Sequence, residues 1–411
     1  MDAKKTIRIG LLSAGARVRG VTRRISAQAA AEGHEIRIIA AYDPNPLALE
    51  ALAKQLGYDF QHCDTESALT ADTQVDWVFI GSWNCHHARQ AVLALEAGKN
   101  VFCEKPLATT LEDCLKIRDA VNQSGKQFAL GLVLRYSPHY RQVMDIIRSG
   151  QIGRLISFEF NETLAFNHGG YIFGNWRRDS ANAGSHLLEK CCHDLDLANW
   201  LAQALPVKVA CFGGRDFFLP ENERHVGRIG PNSEGRPAYG TWDDPHRRNP
   251  FDGEGDIPDN QVAILEYANG VRGTFHTNCN TALPERRFYV CGTEGTLRAD
   301  LTSGTLEVQR IGWDTELRKI DTAAGDSHGG GDQVMAEAMV ATMVKGASPL
   351  ASVREGIQSA VAAFGLDQAQ EENQVVDLRP LWKRAGIDPL GGLEVGKGTK
   401  AEARAGRLLG S

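Results

Sequence analysis

Through the first third of the chain, short apolar runs alternate with stretches whose apolar residues recur every three or four positions. The runs Ile7 to Leu12, Glu35 to Tyr42, Trp77 to Ile80, Asn100 to Cys103 and Phe128 to Leu134 predict buried strands. Between them the spacing predicts a helix running to Gly33, a helix from Pro46 to Leu56 and a shorter helical turn from Glu66 to Ala71. Ala88, Ala91, Val92, Leu95 and Glu96 mark a further helix that Gly98 stops, and Thr110 to Ser124 marks another. Strand–helix–strand units of this kind require a parallel sheet with right-handed crossovers. About six strands are expected before this part closes near Arg135.

From there the rhythm changes. Leu155 to Thr163, Val207 to Gly213, Asp259 to Cys279, Arg286 to Cys291, Gly295 to Leu301 and Thr305 to Ile311 read as strands. Turns at Asn269-Gly270, Glu294-Gly295 and Ser303-Gly304 join several of them. They predict a largely antiparallel sheet of about six strands, with helices on one face and the other face in need of cover. Between two of these strands, Gly184 to Ala202 predicts one continuous helix. Glu189, His193, Asp196 and Trp200 then share one face of an otherwise apolar cylinder. Residues 213–260 are rich in Gly, Pro, Arg, His and Asp and predict a solvated loop. Its Arg224, His225, Arg228, Arg236, Arg247 and Arg248 are the basic groups available to an anionic substrate, but acids are interspersed among them. His328-Gly329-Gly330-Gly331-Asp332 opens a helix through Lys345, and Ser352 to Glu371 is another. A Gly-, Lys- and Glu-rich tail begins at Gly391.

Composition narrows the class. With 411 residues, 42% of them hydrophobic and 23% charged, the chain reads as a globular protein of two domains. A net charge of −6 gives no footing for nucleic acid. No apolar run approaches the roughly 18 residues a membrane span needs, so no membrane partner is expected. The chain opens MDAKKT and enters a strand at once, which leaves no room for a signal peptide. Nine scattered cysteines without a CxxC pair fit a reducing cytoplasm.

Two stretches carry candidate chemistry. In the first, a strand is followed by the small-residue turn Ser13-Ala14-Gly15, a helix, and a second strand that ends in Asp43. That is a dinucleotide-binding fingerprint, with backbone N–H groups for a pyrophosphate and an acid for the ribose hydroxyls. Ser13 and Val18 stand where the first and third glycines usually do, so the turn or its packing must differ. Asp43 followed by Pro44 favours NAD over NADP, although Arg17 and Arg19 keep NADP open as the lesser choice. The second stretch places Glu104-Lys105-Pro106 at the carboxyl end of a parallel strand, where ligands of open parallel sheets bind. The polar face at Glu189, His193 and Asp196 admits three readings: a structural His–acid pair, a metal site, or a general base oriented by an acid.

Asn84, His87, Ala97-Gly98-Lys99 and Glu104-Lys105-Pro106, with the stretch from Arg135 to Leu155, resemble the Gfo/Idh/MocA oxidoreductases in order and distance. The resemblance runs over about residues 5 to 380. It implies an α/β fold class: a Rossmann dinucleotide-binding domain over 1–134, an α+β substrate and oligomerisation domain with a large, mostly antiparallel open sheet over 135–385, and a flexible tail over 386–411. It also implies that the cofactor would meet Ser13, Ala14, Gly15, Arg17, Asp43, Ser82, Trp83, Asn84, His87, Glu104, Lys105, Trp176 and Arg177. By the same resemblance His193 would be the catalytic base and Lys105 the ligand of the reacting hydroxyl, with Glu189 the third catalytic residue. Lys105, Arg135, Glu189, His193 and Asp196 would bind substrate, and no metal is expected. Glu189 stands where the family has Asp, which leaves its role as orienter or sugar ligand open.

The activity so implied is NAD-dependent oxidation of a secondary hydroxyl on a sugar, glycoside or cyclic polyol, in a homo-oligomer (dimer or tetramer) paired through the C-terminal sheet. The alternative is a redox-assisted glycosidase that keeps NAD bound and cleaves by transient C3 oxidation and elimination. A non-catalytic NAD-dependent regulator is a third reading, against which intact Lys105 and His193 argue.

Overall fold

A computed structural model describes residues 3–240, 247–322 and 328–391. Most of the tail expected to be flexible, 392–411, lies outside the described residues.

The first sheet holds β1 (Thr6–Leu12), β2 (Glu35–Tyr42), β3 (Gln61–His62), β4 (Trp77–Ile80), β5 (Asn100–Cys103) and β6 (Phe128–Leu130) in the order β3-β2-β1-β4-β5-β6, all parallel. The order reverses between β1 and β4, so a crevice opens at their carboxyl ends. Helices start and stop on local signals. Asn45 caps Pro46–Leu56, Thr110 caps Leu111–Ser124, and left-handed Gly57 and Gly125 end them. The expected strand to Leu134 ends at Leu130 instead, and Val133–Tyr136 forms a 3₁₀ turn.

The second sheet has nine strands rather than six. They are β7 (Leu155–Ala165), β8 (Pro206–Gly214), β9 (Asn260–Tyr267), β10 (Arg272–Thr281), β11 (Arg287–Gly292), β12 (Gly295–Asp300), β13 (Thr305–Arg310), β14 (Arg318–Lys319) and β15 (Val376–Asp377). Their order is β14-β13-β12-β11-β7-β10-β9-β8-β15, antiparallel except for the central pair β7 and β10. The two-residue edge strands β14 and β15 are too short to show a period, so alternation along the chain does not reveal them. In β9 the alternation sends Ala263, Leu265 and Tyr267 into the core, while Val262 and Ile264 lie 50% and 59% exposed. Phe212 pairs across from Val262 and is likewise exposed, so among the described residues the outer face carries an exposed apolar patch.

Two expectations change here. The helix bearing Glu189 and His193 is interrupted: His186–Glu189 and Cys192–Ala202 are separate helices joined through Lys190 and Cys191. Neither Gly nor Pro marks the break. It is fixed by tertiary partners, since Lys190 pairs with Glu162 and Cys191 meets Thr277. The stretch from 213 to 260 is solvated only in part: Arg224, Arg228, Arg247 and Arg248 are exposed, but other residues of it build a core. Phe218, Tyr239, Phe251 and Ile257 are buried against Leu164, Ile172 and Phe173 as a second apolar core. The buried Arg178 anchors it through Asp252 at 2.8 Å. Residues 241–246 within this stretch lie outside the described residues.

The late helices return to the first sheet's layer. Val353–Glu372 is buried along most of its length, with Gly356 against Leu130 and Leu107 and Gln358 O accepting from Asn199. Gly331–Lys345 lies along Ala16–Ala31, joined by Gln333 to Gln28 and Lys345 to Glu32.

Candidate active site

The dinucleotide turn is built around a serine in a glycine conformation. Ser13 has φ 75°, a region that side chains ordinarily avoid. Its N–H donates to Tyr42 O at 2.8 Å and its Oγ donates to Asp43 Oδ2 at 3.1 Å, which holds it there. Asp43 also accepts from the N–H groups of Ala14 and Asn45, both at 2.8 Å. A carboxylate offers about four acceptor positions, so a ribose hydroxyl still finds one. Gly15 then caps the Ala16–Ala31 helix, whose first N–H groups open toward the crevice. Val18, at the third glycine position, is fully buried against Gly81, where a Cβ would lie 2.6 Å from Val18 Cβ. The close helix–strand approach that the fingerprint assigns to a helix glycine is thus supplied from the end of β4. The turn, the helix start and the acid suit a dinucleotide.

Arg17 is committed elsewhere. Its Nε donates to Glu104 Oε1 at 3.1 Å and its Nη1 to Asp332 Oδ1 at 2.7 Å. Other expected cofactor residues serve as braces. The buried His87 has Nδ1 2.8 Å from Pro106 O and Nε2 3.2 Å from Ser82 O. Burial pushes its pKa down, so it is neutral and donates to only one of the two carbonyls. Ser82 Oγ donates to Gln90 Oε1 at 2.6 Å, and Asn84 Nδ2 donates to Ala183 O at 2.8 Å, across to the second domain. Trp83 stacks on Trp176 with centroids 5.3 Å apart, and Arg177 lies 4.4 Å over the Trp176 ring. Together these hold the loop of Glu104, Lys105 and Pro106, in which Glu104 and Pro106 are buried and the Lys105–Pro106 bond is cis.

From that loop Lys105 reaches the second domain. Its Nζ donates to Glu189 Oε1 at 3.2 Å and to the Glu189 carbonyl, which points out at the interruption between the two helices. The same Oε1 accepts from Arg177 Nε at 3.2 Å. Burial opposes the charge on Glu189, but Lys105, Arg177 and Lys190 outweigh it and hold its carboxyl down at about 2. Burial likewise works against the Lys105 ammonium, and Glu189 reverses that and raises it. Glu189 therefore does not orient His193, as an uninterrupted helix would have it do. His193 is buried, and its Nδ1 has no hydrogen-bond partner among the described residues. Burial first, then Lys105, Arg286, His328 and Lys190, push its pKa well below the usual imidazole value. It is neutral and able to accept a proton.

Arg135 and Asp196 are paired with each other. Arg135 Nε and Nη2 meet the two Asp196 oxygens at 2.6 and 2.9 Å, both side chains buried. Asp194, absent from the predicted site, makes a matching fork with Arg286 at 2.8 and 2.7 Å. Arg286 also binds Glu162, which Lys190 meets at 3.0 Å. Glu162, Cys191 and Asp194 lie within 4.8 Å of one another, but these two cations already neutralise the carboxylates. Glu189, His193 and Asp196 do not gather as a metal-ligand cluster among the described residues; Glu189 serves Lys105 and Arg177, and Asp196 serves Arg135. Asp332, also outside the expected site, binds His328 Nδ1 at 2.8 Å. The four-residue spacing at a helix start is the available signal.

Residues 9–132 match the family model described as oxidoreductase family, NAD-binding Rossmann fold, and residues 140–298 match the model of the GFO/IDH/MocA C-terminal domain. An inositol 2-dehydrogenase of Gluconacetobacter diazotrophicus is 32% identical over 197 residues, which are 48% of this chain and 54% of that protein. The chain thus spans about half the length of that relative. A 2,7-anhydro-N-acetylneuraminate hydratase of Escherichia coli is 26% identical over 282 residues, 68% of this chain and 65% of that protein. Among solved structures, levoglucosan dehydrogenase in complex with NADH and levoglucosan superposes with a TM-score of 0.74 at 20% identity, covering 91% of this chain and 100% of that one. At that identity the likeness is one of fold.

Proposed function

The chain belongs to the Gfo/Idh/MocA oxidoreductase family, and from that premise we propose that it oxidises a secondary hydroxyl of a sugar, glycoside or cyclic polyol. The observation that carries this reading is the pairing of a charged Lys105 with Glu189 across the two domains, beside a neutral, buried His193. Bound NAD supplies the acceptor for the hydride that leaves the carbinol carbon. His193 takes the hydroxyl proton. Lys105 steadies the oxygen as negative charge grows on it, since an ammonium has three donors and Glu189 uses two. Glu189 keeps that ammonium charged and aimed, and Arg177 keeps Glu189 ionised. Asp43 and the Ser13–Gly15 turn bind the nucleotide, while Asn84 and His87 hold the lysine loop in place. Arg135 and Asp196 set the position of the His193 helix rather than touch substrate.

A second reading draws on the hydratase relative, whose name describes a reaction without net oxidation. The same two residues would then serve transient oxidation followed by elimination. A panel of polyols, anhydrosugars and aryl glycosides incubated with NAD decides between them. NADH formation supports the dehydrogenase, release of aglycone without NADH supports the redox-neutral route, and neither product with any compound removes support from both.

The exposed Phe212, Val262 and Ile264 patch supports a homo-oligomer formed sheet to sheet.

A further inference from the structure

A buried base surrounded by cations is a poor place to keep a proton. Four neighbouring groups weigh against a charge on His193: Lys105 in the lysine loop, Arg286, His328, and Lys190 at the helix break. Three of them carry fixed positive charge. Each turnover nevertheless delivers one proton to this ring, if His193 is the base proposed above. His328 is the neighbour built differently. Its ring centroid lies 6.4 Å from that of His193, with the planes at 53°. Its Nδ1 bonds Asp332 at 2.8 Å, and Asp332 is fixed from its other oxygen by Arg17 at 2.7 Å. Arg17 in turn binds Glu104, so the dyad is braced from the lysine loop. The His328 side chain is 24% exposed, whereas His193 is 5% exposed, so the pair runs from the interior outward.

We propose that His328, oriented by Asp332, is the outlet through which the proton taken up by His193 leaves the site. This rests on the reading of His193 as base. The substrate O–H bond breaks and its proton bonds to the His193 ring. That proton passes through one bridging water to the His328 ring, and from there to bulk solvent. The electron pair of the C–H bond leaves with the hydride to the nicotinamide. Asp332 stays ionised throughout: burial opposes its charge, but His328 and Arg17 hold its carboxyl well below the ordinary range. Its role is to fix the Nδ1–H tautomer and the orientation of the ring. His328 is a positioning and relay residue and need not touch the substrate.

The first test needs no substrate. In protein labelled with ¹⁵N at its histidines, with and without NAD, the expected His328 spectrum shows a protonated Nδ1. The His193 ring signals should move in His328→Gln, and the His328 Nδ1–H signal should move in Asp332→Asn. His193 signals indifferent to His328→Gln would overturn the proposal. The second test uses whichever compound in the panel turns over. His328→Ala should lower kcat about tenfold or more, enlarge the solvent deuterium effect and be partly rescued by free imidazole, with NAD affinity within about twofold. A loss that imidazole does not touch, or one explained by weaker NAD binding, counts against the outlet. His193→Gln separates the two ideas. Full activity there removes the base itself, whereas a dead His193→Gln beside a fully active His328→Ala removes only the outlet.

Discussion

Lys105 and Glu189 come from different domains, and they meet twice: ammonium to carboxylate at 3.2 Å, and ammonium to the Glu189 backbone carbonyl. The second contact depends on the helix breaking just after Glu189. A lysine that bonds both groups is fixed in direction as well as in charge. Glu189→Gln keeps the shape and removes the charge. Turnover is expected to fall about ten- to a hundredfold with NAD affinity unchanged, as steady-state kinetics beside a binding titration will show. Glu189→Asp is expected to recover less than full activity, because the shorter side chain draws away from Lys105 and Arg177.

Arg135 and Asp196 form a buried pair with both oxygens engaged. Arg135→Leu strands the carboxylate and is expected to cost about 3–5 kcal/mol in urea unfolding. Replacing both partners by apolar residues should recover most of that loss.

Gly81 is needed because Val18 sits on it. Gly81→Ala is expected to destabilise by about 1–3 kcal/mol through overpacking, and Val18→Ala in the same chain should recover part of it. Thermal melts of the two single variants and the double variant check this.

Acid should loosen the protein through its buried histidines, which outnumber Asp194, Asp196 and Asp367, the aspartates whose raised carboxyls pull the other way. Burial pushes His139 and His186 down to about 4, and lowers His87 and His193 as well. The unfolded chain takes up protons at these sites below about pH 6.5, and the folded chain does not. Unfolded protein therefore binds more protons, and stability falls as pH falls, with each such histidine adding up to about 1.4 kcal/mol per pH unit. Glu189 acts in the same direction lower down: its pull, fully present above its ordinary range near 4.5, is lost as pH approaches about 2. Melting temperatures recorded from pH 8 to pH 4 should already drop between about pH 6.5 and 5.

The outer sheet face predicts association. Val262→Glu with Ile264→Glu places charges in the exposed patch and should shift the protein to a smaller species in light scattering. An unchanged mass would put the interface elsewhere.

Much of this is legible in the residues. The parallel sheet follows from its strand–helix periods, and the positions of Lys105 and His193 follow from their motifs. What escapes is tertiary. Nothing local announces that Lys190 and Cys191 break a helix, because Glu162 and Thr277 impose it. Val18 looks like a defect in the fingerprint until Gly81 is seen across from it. The polar stretch from 213 to 260 hides its core because Phe218, Tyr239, Phe251 and Ile257 are spaced too widely to form a period. Charge alone does not reveal that Arg135 and Asp196 meet each other.

The most direct measurement is NADH formation by the wild-type protein, Lys105→Ala and His193→Ala, on the compound of the panel that turns over fastest, with NAD affinity measured alongside. The expected result is a loss of about a hundredfold or more in both variants with NAD still bound. Turnover near the wild-type rate in either variant would contradict the pairing of Lys105 with His193 as the catalytic centre.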